Sequence, residues 1–272
     1  MNITVHHGAG GRFDDLAQRL ETVAAETAPL VEVVTVLVLP DTVVIRTLSP
    51  RAWLKVHQRR SARLRRDEAR GLRAPRRRRR QAKVQHYIQC NGRHRIWPLI
   101  GAQVVDFRQG QFELVILPQS VHEAGQLNDQ EVLTKVVCHE LTHVAQHATD
   151  DGAMWRLQDS YYPELRGIAD RDYGFLVEGH AYWADRQITA KLLGAPVSLK
   201  EISPHATHRY RDLADTLQRA ETLQYFTRAV DSVEEIVTTH GLDAFNGVWH
   251  RPDLVPTREE ASAPVGWMQR FG

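Results

Sequence analysis

A chain of 272 residues, 42% of them hydrophobic, is long enough for one α+β domain with a large core or for two closely packed lobes, and this composition excludes a disordered or fibrous protein. It contains no run of about 18 apolar residues, and Met1 to His7 lack the basic-then-apolar pattern of a secretory signal, so the expected location is cytoplasmic. The formal net charge of +2 conceals an asymmetry: residues 51 to 83 hold 15 Lys or Arg against Asp67 and Glu68 alone, leaving 20 basic and 31 acidic residues elsewhere.

Taken in chain order, the periodicity predicts a helix from about Phe13 to Ala28. Val33 to Leu39 and Thr42 to Leu48 follow as two β-rich segments, read as a hairpin about Pro40-Asp41. Ala52 to Gly71 reads as a basic helix. Val84 to Gln89, Gln103 to Phe107 and Gln111 to Leu117 are strand candidates, the last two joined by a turn at Gln109-Gly110. Asn128 and Glu131 form a capping-box pattern that opens a helix running to Ala148. A second helix starts near Phe175 and stops at Gly194, and Ala206 to Thr239 is a helical stretch broken once, before a Pro-containing tail. Division into an N-terminal part, residues 1–127, and a C-terminal part, residues 128–272, follows from this order.

The unbroken run Arg76 to Arg80 admits three readings. It serves an anionic partner such as nucleic acid or lipid, it folds back on the acidic remainder of its own chain, or it is a solvated helix and linker. Cys90 and Cys138 are the only cysteines and have no C-x-x-C spacing, which excludes a disulfide framework or thiolate metal site. Cys138 is expected to be a core neighbour.

Chemistry concentrates in His139-Glu140-Leu141-Thr142-His143. On a helix, residues i and i+4 share a face, so both imidazoles can reach one zinc ion about 2 Å away. Glu140 then lies beside the water that the metal polarises, where a carboxylate can take up a proton and return it to a leaving amine. A catalytic zinc generally takes three protein ligands. Glu178, in Leu176-Val177-Glu178-Gly179-His180-Ala181-Tyr182-Trp183-Ala184-Asp185, is the expected third, with His180 as its rival; two residues along a helix point about 200° apart, so both cannot serve one metal. Asp185 shares a face with Glu178 and is placed to accept the outer N–H of a ligand histidine, and Tyr182 competes for that position. His147 extends the i, i+4 series but drifts off the ligand face. Thr149 stands where a third histidine would follow six residues after His143.

HELTHVAQH followed by LVEGHAYWAD resembles the zincin-like metallopeptidase clan with a Glu third ligand. More narrowly, residues 245 to 260, with Trp267, are similar to the closing segment of a family of zincin-like candidate hydrolases, some of them linked with biosynthesis of a deazaflavin coenzyme. The resemblance covers about residues 110 to 272; residues 1 to 109 match no pattern. It implies a zincin-like α+β fold, a small twisted sheet packed on the active-site helix, and a mostly helical C-terminal lobe. In that family an Asp commonly stands four places after the Glu ligand, where this chain has Tyr182.

The expected function is a zinc-dependent hydrolase, a peptidase or amidase acting on a peptide or small amide, with His139, His143 and Glu178 as ligands and Glu140 as general base. Strand 111 to 117 is expected to lie along the cleft and pair with an extended substrate. Tyr182, His205, His208 and Tyr210 are oxyanion-stabiliser candidates by residue type. A zincin scaffold serving a small molecule, or a non-catalytic zinc protein that binds through its arginines, are the alternatives.

Overall fold

In the computed structural model, which describes residues 1–108, 110–198, 201–217 and 219–271, alternation along a short mixed sheet decides where everything else can pack. Leu114 and Ile116 face one way, into the main core with Val43, Ile45 and Val104; Val115 faces the other way, onto Trp53 with Val105 and Leu117. Both faces are therefore covered, and the sheet lies between two helical layers.

The elements run β1 (Asn2–Gly8), α1 (Asp14–Thr35), β2 (Thr42–Leu48), α2 (Pro50–Gly71), α3 (Arg76–Ile96), β3 (Ala102–Arg108) and β4 (Gln111–Ile116). They continue with α4 (Pro118–Glu123), α5 (Gln130–Thr149), α6 (Ala153–Gln158), α7 (Pro163–Arg166), α8 (Tyr173–Leu193), α9 (His208–Thr216), α10 (Arg219–His240), α11 (Leu242–Asn246), α12 (Arg258–Ser262) and α13 (Val265–Met268). Strand order is β1-β2-β4-β3, with β1, β2 and β4 parallel and β3 antiparallel to β4 at one edge. α1 and α5 cover one face and α2 the other, with α3 packed on α2, and α8 and α10 build outward from α5. This is the α+β, zincin-like arrangement: a small sheet against the HELTH helix, followed by a mostly helical part. The main core draws on residues from both sides of position 127, from Leu16 and Ile45 to Phe245 and Trp267. Among the described residues no helix is long and apolar enough to cross a membrane.

Several expectations need correction. The segment Val33 to Leu39 is not a strand: α1 continues to Thr35, because the spacing of its buried residues, Leu20, Val23, Thr27, Val31 and Val34, carries the helical period through the β-branched residues. The helix ends with Val36 in the left-handed region, at φ 56°, its N–H donating to Glu32 O. No hairpin forms; β2 instead pairs in parallel with β1, which alternation too weak to see in seven residues had hidden. Val84 to Gln89 is helical, within α3, where Ala82 alone is buried and no apolar stripe betrays the period. Helix α5 is capped by Asp129, whose side chain accepts from the Val132 N–H, one residue beyond the Asn128 expected, so no capping box forms. Gln109, in the expected β3–β4 turn, lies outside the described residues; Gly110 has φ 79°. The break in 206 to 239 separates α9 from α10.

The basic helix α2 is tied to the body. Arg60 pairs with Asp106 and, at 2.7 Å, with Asp159; Arg63 reaches Asp106 at 3.2 Å; and buried Glu68 accepts from Arg166 at 2.8 Å. Arg76, Arg77 and Arg80 stand exposed in the first turns of α3. No acidic residue lies in that first turn, so their charges meet the positive end of the helix dipole.

At Gly179 the backbones of α8 and α10 approach each other closely. A Cβ there would lie 2.8 Å from Ala229 O and 3.0 Å from Ala229 Cβ. Gly179→Ala is expected to push the helices apart and lower stability by about 1–3 kcal/mol, the range for overpacking, read as a shift in the denaturant midpoint; an unchanged midpoint would show that α10 yields freely.

Candidate metal centre

Helix α5 is buried on nearly every side, so its polar residues form an interior network and not a solvent face. His139 Nε2 and His143 Nε2 lie 3.1 Å apart, and the two carboxylate oxygens of Glu178 approach them at 3.3 and 3.7 Å. Donor atoms bound at about 2.0–2.1 Å to a tetrahedral zinc are necessarily about 3.3 Å from one another. Among the described residues this is the one group of three or more His, Cys, Asp or Glu whose donor atoms converge in this way. The donor chemistry, two imidazoles and a carboxylate, fits zinc.

The electrostatics agree with a cation at this point. Burial alone would lower the His139 pKa, but Asp185 and Glu178 hold it well above its ordinary value. Burial alone would raise Glu178, and the two histidines hold it well below the carboxylate range. The pocket stabilises positive charge, and a proton and a metal ion would compete for it.

Each imidazole is fixed from behind. His139 Nδ1–H donates to Asp185 Oδ2 at 3.1 Å, and Asp185, fully buried, also accepts from Lys135 Nζ. That leaves the His139 Nε2 lone pair directed at the site. Tyr182 does not take this position: its ring lies against His139 at a centroid distance of 4.4 Å, with Lys135 Nζ 5.2 Å from its own centroid. His143 Nδ1–H donates to Gln146 Oε1 at 2.9 Å, and Gln146 Nε2 donates to Val177 O and His180 Nδ1, both at 3.0 Å. His180 is thereby turned away from the three donors, among Trp183, Phe245 and Trp249, where burial lowers its pKa to about 3. Gln146 and Lys135 were missed in the sequence, though their spacing was informative: Lys135 stands four before His139 and Gln146 three after His143, on the same stripe.

Glu140 is buried beside the triad, and burial raises its pKa. The Val104 backbone N–H faces its carboxyl, and its Oε2 has no hydrogen-bond partner among the described residues. His147 is held off the site, stacked between Phe112 at 3.9 Å and Trp155 at 4.4 Å. Cys138 is fully buried, its S–H donating to Thr134 O, and burial pushes its thiol up to about 12.

A cleft of about 690 Å³ opens over these groups, lined also by residues 101 to 104, Trp155, Tyr182 and Tyr210. His205 and His208 are exposed and lie outside its lining. The expectation that strand 111 to 117 borders the cleft is corrected: β4 is hydrogen-bonded on both sides, to β2 and β3, and can accept no further strand. The strand at the cleft is β3. Gly101 O accepts from Leu117 N, so by antiparallel alternation Ala102 and Val104 turn their backbone groups to the open edge.

Asp185→Asn is expected to weaken zinc binding about 10- to 100-fold, measured by chelator competition. Affinity equal to that of the wild type would show that Asp185 serves packing alone.

The family model described as zincin-like metallopeptidase matches residues 173–268. The match takes in Glu178, Asp185 and Trp267, while the HELTH segment lies outside it. No curated protein matches the chain. A crystal structure from Chloroflexus aurantiacus, described as a candidate hydrolase with a novel fold, superposes with a TM-score of 0.62 at 18% identity, covering 97% of this chain and 92% of that one. At that identity the likeness establishes a shared fold.

Proposed function

We propose that this chain is a zinc-dependent metallopeptidase or amidase. The observation that carries the reading is the convergence of His139, His143 and Glu178 donors beside a buried Glu140 carboxyl whose Oε2 has no partner among the described residues. The zincin-like family match over residues 173–268 supports the same class.

When bound, zinc would supply Lewis acidity, polarising a scissile carbonyl and lowering the pKa of a water towards about 7. His139, His143 and Glu178 would hold it, and Asp185 and Gln146 keep both imidazoles in the tautomer that presents Nε2. Glu140 takes the proton of the attacking water and delivers it to the departing amine. The open edge of β3 favours peptides, since the Ala102 backbone and the Val104 carbonyl can pair with an extended backbone and hold the bond to be cut near Glu140. Tyr182 and Tyr210 line the cleft and are the candidates among its hydroxyl groups to stabilise a developing oxyanion.

The test is elemental analysis of the purified protein together with a peptide-library digest. Zinc near one equivalent with chelator-sensitive cleavage is expected; a zinc-replete protein that cleaves nothing would sink the reading.

For the arginine run, we infer that Arg76, Arg77 and Arg80 are held against their mutual repulsion by the docking of α2. Replacing these three with Gln is expected to raise the melting temperature at low salt, with the gain shrinking as salt screens the charges. A fall at low salt would instead show the run docking on the acidic remainder of the chain.

A further inference from the structure

The cleft does not end at the metal centre. Side chains alternate along β3, so Gln103 lies on the Trp53 side of the sheet, opposite Val104, and the cleft turns round the open edge to reach it. At that end α2 and α3 supply His57, Arg60 and Arg93.

These groups are unevenly satisfied. Arg60 is neutralised by Asp106 and Asp159. Arg93 lines the same cleft, yet among the described residues its side chain has no ion pair or hydrogen bond, and its Nη1 is shielded from solvent without a partner. His57 is 3% exposed, its ring tilted against Trp53 at a centroid distance of 4.6 Å, and its Nε2 also lacks a partner among the described residues. Burial, with Arg93 and Arg60 nearby, lowers the His57 pKa to about 3, so at neutral pH it is an uncharged imidazole with one N–H to donate. Gln103 approaches the ring closely enough to act as its hydrogen-bond partner, although by strict geometry its Oε1 is unsatisfied among the described residues. Buried polar groups without partners are uncommon, and several converging on one concave surface mark a place where a ligand completes them.

We infer that Arg93 and His57 form a subsite for a substrate carboxylate, with Gln103 in its wall. An uncompensated guanidinium fork matches the two oxygens of that group, and a neutral imidazole N–H beside it adds a donor. The inference rests on the peptidase reading and narrows it: the carboxylate is the free C-terminus of a short peptide, or the side chain of an Asp or Glu within one.

The experiment uses a library of tri- to hexapeptides made in two forms, with a free C-terminal carboxylate or a C-terminal amide, and containing matched Asp/Asn and Glu/Gln members. Zinc-loaded Glu140→Gln protein is incubated with the library and the retained peptides are quantified by mass spectrometry. Carboxylate members are expected to be retained tenfold or more over their neutral twins, as for loss of a charge-assisted contact. Preference among C-terminal pairs identifies the terminus as the source, and preference among Asp/Asn and Glu/Gln pairs identifies a side chain. Adding Arg93→Gln should abolish the preference without changing zinc content, and Arg93→Lys, which keeps charge but not the fork, should restore part of it. Equal retention of both forms, no retention of either, or a preference that survives Arg93→Gln would each overturn the subsite. Digestion of the same library by the wild-type protein separates the two claims. Cleavage without carboxylate preference leaves the peptidase and removes the subsite; an Arg93-dependent preference without cleavage does the reverse.

Discussion

Glu140→Gln is expected to reduce turnover by two to four orders of magnitude, about the contribution of general acid–base catalysis, while zinc stays near stoichiometric. The donors that converge are His139 Nε2, His143 Nε2 and the Glu178 carboxylate, and Glu140 is not among them. Its work is proton transfer, which an amide of the same shape cannot do. Gln fits the same buried space, and since burial already disfavours the ionised carboxyl, the substitution should not lower stability. Elemental analysis and the library digest, run side by side on both proteins, decide the matter. Wild-type turnover would remove Glu140 from the mechanism, and loss of zinc would make it a ligand or a structural prop.

The parts of the centre that were legible in the sequence are those fixed by helical geometry. His139 and His143 share a stripe whatever the tertiary structure, and Glu178 and Asp185, seven residues apart, share another; the requirement for a third ligand then joins the two helices. Gln146 and Lys135 are not legible because the sequence does not show how far α5 is enclosed. In the fold every side of that helix is buried, so each polar group on it needs an interior partner, and Gln146 answers for His143 as Asp185 does for His139. The N-terminal half was less legible for a different reason. β-Branched residues at the end of α1 mimic a strand, and only the continuing period of its buried positions argues otherwise. α3 has almost no buried face, so it has no period to read. The edge strand was misassigned because sequence gives a strand's alternation but not its neighbours: β3 and β4 read alike, and pairing of β4 on both sides is a property of the sheet.

Separate loss of zinc and loss of stability should distinguish Glu178→Ala from His180→Ala. In Glu178→Ala two imidazoles remain, with Asp185 and Gln146 still behind them, so the protein should fold; the charge that balances the cation is gone, and zinc affinity should fall by more than the roughly 10- to 100-fold that follows loss of an outer partner. His180→Ala should do the opposite. That imidazole is fully buried among Trp183, Phe245 and Trp249, and its removal leaves a cavity expected to cost about 2–4 kcal/mol. Gln146 loses one acceptor but keeps Val177 O, so its grip on His143 persists and zinc affinity should change little. Chelator competition and denaturant unfolding, measured on both variants, read the two quantities independently. Were His180→Ala to release zinc while Glu178→Ala kept it, the third ligand would be His180, and α8 would have to be rotated by about half a turn from the position that places Glu178 3.3 Å from His139.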